Sequence, residues 1–126
     1  MTENERVVLT VPSRGEFARV VRLCAAELAT RAGMNIDDVD DVRLAVEEAF
    51  VFAAEHMTDG EMTFTFHTEP GVLDLTVGPL PEQCAHDEGV DAGGRYARFI
   101  LESVCDEFEV LTRDGACFLR LVKKTV

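Results

Sequence analysis

Two stretches of alternating apolar and polar residues, each interrupted by a turn, constrain the fold of this chain more than any other feature. The first occupies residues 61–77 around a turn at 69–71, and the second occupies residues 107–123 around a turn at 113–115. Alternation places successive side chains on opposite faces of a strand, and the glycine in each turn permits a tight reversal. The sequence therefore predicts two β-hairpins and a largely antiparallel sheet.

Helical segments separate these hairpins from each other and from a valine-rich first strand at residues 6–11. Ser13 and Glu16 have the spacing of a capping box, which predicts the start of the first helix, and Gly33 predicts its end. Asn35 or Asp37 begins the second helix. The predicted apolar face of that helix consists of Val39, Val42, Val46, Ala49, Phe50 and Ala53.

A long irregular loop is predicted at residues 78–94, followed by a third helix at residues 96–105. The order β-α-α-β-β-α-β-β predicts an α/β (α+β) two-layer sandwich, in which three helices cover one face of the antiparallel sheet. The length predicts a single domain spanning residues 1–126. Four residues of the third helix are expected on one of its sides: Phe99, Ile100, Ser103 and Val104.

The chain is strongly acidic, with 24 Asp and Glu residues against 12 Lys and Arg residues and a formal net charge of −12. A surface of this sign repels nucleic acid and anionic lipid, so we expect neither as a partner and favour a basic protein partner. No apolar stretch approaches the roughly 20 residues that span a bilayer. The polar first six residues are unlike a signal peptide, and we therefore expect a cytoplasmic protein.

Several segments resemble the anti-sigma-factor serine kinases of the GHKL ATPase superfamily. Residues 41–49 match the family helix pattern D-x-[KR]-x-A-V-x-E-A, and His56 follows near the predicted end of this helix. Gly93 and Gly94 precede the third helix, which leads into an acidic strand entry at residues 106–110. The resemblance covers nearly the whole chain and implies the histidine-kinase-like ATPase fold of the Bergerat type.

The resemblance also assigns a role to two positions of the second helix. Glu48 stands where the family has a glutamate that orients water or the substrate hydroxyl, so it is a candidate remnant catalytic base. Four residues later the family has an asparagine that binds Mg²⁺, and this chain has Phe52. Phenylalanine offers no oxygen ligand to a hard cation, so no metal site is expected.

The nucleotide contacts implied by the resemblance depart from the family pattern as well. Residues 77–81 contain no carboxylate where the family has an aspartate that binds adenine. Gly93 and Gly94 match part of the phosphate loop and are candidate nucleotide-binding residues. The glycine expected after them is replaced by Tyr96 or Ala97, whose side chains hinder close approach of the backbone to phosphate.

For each candidate residue a plainer interpretation stays open. Glu48 is also compatible with a solvated helix residue, and Gly93 and Gly94 with an ordinary turn. His56 is either a ligand or a partner of the helix dipole. Phe50 and Phe52 are two residues apart and cannot both face the core, so Phe52 either fills the vacated nucleotide space or packs elsewhere.

These patterns predict a regulator that binds a sigma factor or an anti-anti-sigma protein, with no cofactor and with ATP binding lost or very weak. The alternative is an active protein-serine kinase that uses Mg-ATP to inactivate an anti-anti-sigma partner. Either function is compatible with a homodimer. Asp37, Asp38 and Asp41 are predicted to bind the partner, although acids at this position also stabilise the start of a helix.

Overall fold

The computed structural model describes residues 5–57, 59–81 and 92–125, with the backbone alone described at 92–95. The element order β-α-α-β-β-α-β-β is the predicted one. No helix within these ranges is long and apolar enough to cross a membrane. The strands are β1 Glu5–Pro12, β2 Glu61–Glu69, β3 Val72–Pro81, β4 Glu107–Arg113 and β5 Ala116–Lys124, and the helices are α1 Ala18–Arg31, α2 Ile36–Glu55 and α3 Ala92–Val104.

The five strands form one sheet in the order β1-β2-β3-β5-β4, and every neighbouring pair is antiparallel. Only Pro70 and Gly71 separate β2 from β3. Asp114 and Gly115 join β4 to β5, and both have positive φ angles, of 53° and 77°. Two-residue turns of this kind match the twist of paired strands. Both predicted hairpins are confirmed.

The core lies between the sheet and the helices. Met62, Phe64 and Phe66 alternate along β2 and are fully buried. The Phe64 ring stacks on the ring of Phe50 from α2, with 6.0 Å between the centroids. Burying each such side chain stabilises the fold by about 1.5–3 kcal/mol. The matching core residues of β3 and β5 are Leu73, Leu75, Val77, Cys117, Leu119 and Leu121.

The opposite face of the sheet is polar and is held together by Arg120 on β5. Its guanidinium donates to the carboxylate oxygens of Asp74 on β3 at 3.2 and 2.8 Å, and to Glu109 on β4 at 2.9 Å. Glu107 lies 3.5 Å away. These carboxylates raise the pKa of Arg120 above its ordinary value. One cation therefore ties three adjacent strands together.

The end of α1 has the predicted glycine. Gly33 adopts a φ of 92°, which side chains disfavour. Its N–H donates to the carbonyl of Thr30 at 3.0 Å, and the N–H of Met34 donates to the carbonyl of Ala29 at 3.1 Å. This pair of hydrogen bonds is the Schellman pattern that satisfies the last carbonyls of a helix. The predicted helix end is confirmed.

The predicted capping box at the start of α1 is wrong. A short 3₁₀ turn, Gly15–Phe17, lies between Ser13 and α1, and the residue at the N-cap position makes no side-chain capping bond. The N–H of Ser13 instead donates to the carbonyl of Gly60 at 3.0 Å. The extra turn moves Ser13 too far from the first free N–H groups of α1 for its hydroxyl to cap them.

The prediction of a loop over residues 78–94 is wrong at both ends. β3 continues to Pro81 through an irregularity in its pairing with β5 between Val77 and Leu80. α3 already begins at Ala92. An irregular pairing accommodates the glycine and prolines of this segment, which made it resemble a loop. Residues 82–91, the middle of the predicted loop, lie outside the described residues.

The side of α3 that carries Phe99 and Ser103 is not the buried side. Ala97 and Leu101 are fully buried, whereas Phe99 is 67% exposed. Ser103 is exposed too, and its hydroxyl donates to the carbonyl of Phe99 at 2.8 Å. The small Ala97 side chain permits close packing of the helix, and the four-residue spacing to Leu101 defines the buried stripe.

Candidate functional site

The residues assigned by the family resemblance lie where α2 packs against α3. Lys123 on β5 fixes the relative position of the two helices, because its ammonium group donates to Asp41 near the start of α2 at 3.0 Å and to the carbonyl of Val104 at the end of α3 at 3.1 Å. The two helices therefore run antiparallel. About two turns from this contact, Glu48 on α2 is level with Ala97 on α3.

Glu48 is half-buried on the side of α2 that faces α3. Burial raises the pKa of the Glu48 carboxyl above its ordinary value of 4.5, and the neighbouring charge of Glu47 raises it further. Glu47 itself accepts a hydrogen bond from Arg22 on α1 at 2.8 Å. No hydrogen bond or ion pair joins Glu48 to another described residue. Its carboxylate can accept a proton or bind a cationic group, and its role as a remnant base stays a prediction.

Phe52 lies one turn beyond Glu48 on the same side of α2, level with Gly93 on α3. It is 3% exposed and belongs to the hydrophobic core. The ring of His56 lies 5.1 Å from the Phe52 ring, between centroids. The chemistry of this side chain does not fit Mg²⁺, because a phenyl ring has no oxygen to offer. No catalytic step through a metal ion can be assigned to this position.

The expectation that Phe50 and Phe52 cannot both face the core is wrong. Phe50 is 1% exposed and packs on the sheet, and Phe52 is also buried. Both are buried because α2 contacts α1, α3 and the sheet, so apolar residues on several sides of the helix are covered. That Phe52 fills a space otherwise taken by nucleotide stays a prediction.

His56 occupies the C-cap position of α2. Its Nδ1 atom lies 2.9 Å from the carbonyl oxygen of Phe52, one of the last carbonyls of the helix. A histidine that donates to this carbonyl stabilises the helix end. This geometry favours the interpretation of His56 as a partner of the helix terminus.

Gly93 and Gly94 lie in the first turn of α3 and not in a loop before it. Further along α3, Arg98 pairs with Glu102 at 3.5 Å and lies over the ring of Phe108 on β4 at 5.8 Å. Nucleotide binding by Gly93 and Gly94 stays a prediction.

The resemblance implies an adenine-binding aspartate at the end of β3, where residues 77–81 contain no carboxylate. Val77 and Leu80 are buried there and pair with β5. Gly78, with a φ of 149°, packs so closely that an added Cβ would lie 2.6 Å from the Phe118 ring and 2.9 Å from the carbonyl of Cys117. This segment is closely packed and supplies no carboxylate to an adenine amino group.

The acids at the start of α2 have different surroundings. The Asn35 side chain caps the helix by accepting from the N–H of Asp38 at 2.8 Å. Asp38 is 8% exposed and accepts from the hydroxyl of Thr125 at 2.9 Å, and Asp41 accepts from Lys123. Asp38 and Asp41 therefore have internal partners, which the prediction of partner binding did not anticipate. Asp37 is exposed, and partner binding by these acids stays a prediction.

Sequence reasoning missed Lys123, Thr125 and the exposed ring of Phe99. A signal for Lys123 was present, since the alternation of β5 continues through Leu119 and Leu121 and places Lys123 on the core side. No comparable signal identified Thr125, whose partner Asp38 is distant in sequence.

Comparisons with known proteins identify the family of the chain. Residues 11–121 match the family model described as histidine kinase-like ATPase domain. The chain is 36% identical over 75 residues to the serine-protein kinase RsbW of Halalkalibacterium halodurans, covering 58% of this chain and 46% of that protein. It is 23% identical over 132 residues to the serine-protein kinase RsbW of Listeria innocua, covering 90% of this chain and 84% of that protein.

A third relative, the serine-protein kinase RsbW of Bacillus velezensis, is 24% identical over 132 residues, covering 90% of this chain and 82% of that protein. The matches to these kinases confirm the predicted family resemblance, and the antiparallel sheet with its helices is consistent with the predicted fold. The chain spans about half the length of the Halalkalibacterium protein and most of the length of the other two.

Proposed function

Because the chain belongs to the histidine kinase-like ATPase domain family, we propose that it is a regulator that acts by binding a protein partner stoichiometrically, without hydrolysing ATP. The proposed partner is a sigma factor or an anti-anti-sigma protein, and the proposed compartment is the cytoplasm. The domain extent proposed for this function is residues 1–126.

The observation that carries this proposal is the burial of Phe52. A side chain that is 3% exposed occupies the position of the family's Mg²⁺ ligand. At the adenine position the packed end of β3 supplies no carboxylate. Metal and adenine contacts are independent contributions to the binding of one ligand, so their losses compound. If each lost polar contact is worth roughly 1–3 kcal/mol, the two losses together lower nucleotide affinity by about 30-fold to about 10⁴-fold.

The acidic surface supports a protein partner. The net charge of −12 repels nucleic acid and attracts a basic surface, which increases the rate of association with a basic protein. We also propose that two copies of the chain can form a homodimer, in addition to the contact with the partner protein.

One observation favours the second candidate function, an ATP-dependent protein-serine kinase. Glu48 retains the position of the family's catalytic glutamate, and burial raises its pKa in the direction expected of a general base. The three relatives named above are all called serine-protein kinases. Mg-ATP would be the cofactor of this second function.

The two functions differ in a reconstitution experiment. The purified chain is mixed with the sigma factors and anti-anti-sigma proteins of its source organism, with and without radiolabelled ATP and Mg²⁺. We expect a stoichiometric complex on size-exclusion chromatography that forms equally well without nucleotide and weakens as salt rises from about 50 to about 500 mM. We also expect no label on the partner. Serine phosphorylation of an anti-anti-sigma protein would establish the kinase function instead.

A further inference from the structure

The strand β4 lies at one end of the sheet and has a free edge. It pairs with β5 on one side, and in the part of the chain that the structure describes no other strand pairs with it. A free edge presents a row of backbone N–H and C=O groups with which a further strand can pair. The seven residues of β4 therefore form a template for one more strand, and their side chains limit which strand fits.

Charges of opposite sign stand at the two ends of β4. Glu107 begins the strand and Arg113 ends it, and the two side chains share the polar face of the sheet because they are six residues apart. An antiparallel copy of the strand reverses this order. When the two copies are centred on Val110, the midpoint of β4, Arg113 of the second copy lies opposite Glu107. The two-fold symmetry repeats this pair at the other end, and only this register pairs all seven residues.

The cluster around Glu107 has unmatched negative charge. Glu107 lies 3.5 Å from the guanidinium of Arg120 and 3.3 Å from the ammonium group of Lys124. These two cations are shared among three carboxylates, those of Asp74, Glu107 and Glu109. One negative charge is therefore in excess, and it attracts a cation supplied from outside the chain.

Arg113 is the matching cation. Its side chain is exposed and lies over the Phe118 ring at 5.9 Å. Among the described residues, no carboxylate forms an ion pair with Arg113, so its charge is available to a second molecule. In the register centred on Val110, Arg113 of the second copy lies opposite Glu107 and diagonal to Glu109, within reach of both carboxylates.

The other face of β4 is compatible with the same register. Phe108 and Val110 are half-buried there and pack against the core. The register places Val110 opposite its own copy and Phe108 opposite Thr112 of the second copy. Aromatic and β-branched side chains form favourable pairs across neighbouring strands. Both faces of β4 therefore suit a second copy.

The free edge of β1 lacks this complementarity. An antiparallel copy of β1 centred on Val8 places Arg6 opposite Thr10, and one centred on Leu9 places it opposite Pro12. No acid faces Arg6 in either register. The match of opposite charges therefore belongs to β4 and not to strand edges of this sheet in general.

We propose that two copies of the chain associate edge to edge through β4, with Glu107 of each copy paired to Arg113 of the other. The two five-stranded sheets then form one continuous sheet. This inference rests on the homodimer of the proposed function and names its surface. A paired edge of seven residues is a small interface, so we expect association that depends strongly on concentration.

Hydrogen–deuterium exchange of the full chain identifies the edge that pairs. The chain is labelled at about 1 µM and at about 300 µM, and exchange is followed in peptides that cover each strand. We expect the amides of residues 107–113 to exchange at least about threefold more slowly at the higher concentration. The free edge of β1 is the internal control and is expected to exchange equally at both concentrations. This measurement needs no variant.

Charge reversal tests the register. Arg113→Glu brings glutamate opposite glutamate in a dimer, and Glu107→Arg brings arginine opposite arginine. Each variant alone is expected to weaken self-association by about tenfold or more in analytical ultracentrifugation. In a mixture of the two variants, opposite charges face each other at both ends. We therefore expect a heterodimer whose Kd is within about threefold of that of the parent dimer.

The matched control is Arg19→Glu, at an exposed arginine of α1, which is expected to change self-association by less than about twofold. Circular dichroism verifies that each variant is folded. Exchange at β4 that is independent of concentration, or a mixture of variants that stays monomeric, would contradict the proposal. So would protection of β4 that appears only with an added sigma factor or anti-anti-sigma protein, since the edge would then belong to that partner.

The failure of this inference differs from the failure of the proposed function. A dimer with protection away from β4 would overturn this surface and leave the proposed homodimer intact. A dimer through β4 that forms no complex with a sigma factor or an anti-anti-sigma protein would overturn the proposed partner binding and leave this surface intact.

Discussion

At the scale of single residues, the proposed loss of nucleotide binding depends on Phe52. An asparagine there would present an amide oxygen to a cation, whereas the phenyl ring is 3% exposed and packs near the ring of His56. A phenyl ring therefore offers no ligand and fills space with apolar atoms. If position 52 is the metal position that the resemblance implies, both effects act against the binding of a charged nucleotide and its metal ion.

Replacing Phe52 with asparagine tests its packing role. Phe52→Asn is expected to lower the free energy of unfolding by roughly 2–4 kcal/mol, because it removes a buried ring and buries an amide. Urea unfolding measures the change. The control is Phe99→Asn, at an exposed ring on α3, which is expected to change stability by less than about 0.5 kcal/mol. A loss below about 0.5 kcal/mol for Phe52→Asn would show that the ring is not part of the core.

The raised pKa of Glu48 predicts a specific pH dependence of stability. The folded chain binds this proton more tightly than the unfolded chain, so the free energy of unfolding contributed by Glu48 falls as pH rises from the ordinary pKa of 4.5 through the folded pKa. Glu48→Gln removes this effect. Relative to the parent, the variant should gain stability between about pH 4 and about pH 7 in urea unfolding.

The matched control for Glu48→Gln is Glu27→Gln, at an exposed position of α1. It makes the same chemical change, the loss of one carboxylate, at a position away from α2. If Glu48→Gln followed the parent chain, or lost stability relative to it as pH rose, the carboxyl of Glu48 would not have a raised pKa in the folded chain.

At the scale of secondary-structure elements, the end of β5 and the residue that follows it hold the start of α2 in place. Lys123 binds Asp41, and the Thr125 hydroxyl binds Asp38. Burial lowers the pKa of Lys123, but the hydrogen bond and charge of Asp41 outweigh this effect and raise the pKa above its ordinary value. Since this stabilisation is present below the ordinary pKa of 10.5 and is lost as pH rises through the folded value, it acts fully at neutral pH.

Charge reversal separates this internal contact from a simple helix-dipole effect. Asp41→Lys is expected to lower the free energy of unfolding by roughly 1–3 kcal/mol at neutral pH, because Lys123 loses its partner and faces a like charge. Asp37→Lys, at an exposed acid of the first turn, is expected to lose less than about 1 kcal/mol. Chemical denaturation measures both, and equal losses would contradict the internal role of Asp41.

The elements differ in how well the sequence predicts them. The hairpins were predictable because alternation and turn glycines are local signals, as at Gly71 and Gly115. The end of β3 was not predictable from the sequence. Its pairing with β5 overrides the loop preference of Gly78 and the prolines after it. Which side of α3 is buried depends on its contact with α2. The positions of apolar residues such as Phe99 in the sequence do not indicate that side.

Residues of the candidate site could be predicted only where the family resemblance assigns a function to their position in the sequence. Glu48 and Phe52 were identified in this way, and their placement on one side of α2 follows from helical spacing. The burial of both Phe50 and Phe52 was not predictable, because it arises from contacts of α2 on several sides. The internal partners of Asp38 and Asp41 come from the other end of the chain, and no local pattern indicates them.

At the scale of the whole molecule, the chain combines a histidine kinase-like framework with a buried phenylalanine at position 52 and a net charge of −12. If ATP binding is lost, as proposed, the domain presents the same surfaces whether or not ATP is present. Its proposed regulatory action therefore depends on the concentration of its partner and on ionic strength.

Isothermal titration of Mg-ATP into the purified chain tests this account most directly. Because Phe52 and residues 77–81 offer no side-chain oxygen at the positions where the resemblance implies the metal and adenine contacts, we expect no saturable binding with a Kd below about 1 mM, and no rise in Tm at low millimolar nucleotide. Phe52→Asn is expected to bind no better, since the adenine contact is still missing. A Kd in the micromolar range for the parent chain, or a rise in Tm of several degrees, would contradict the account.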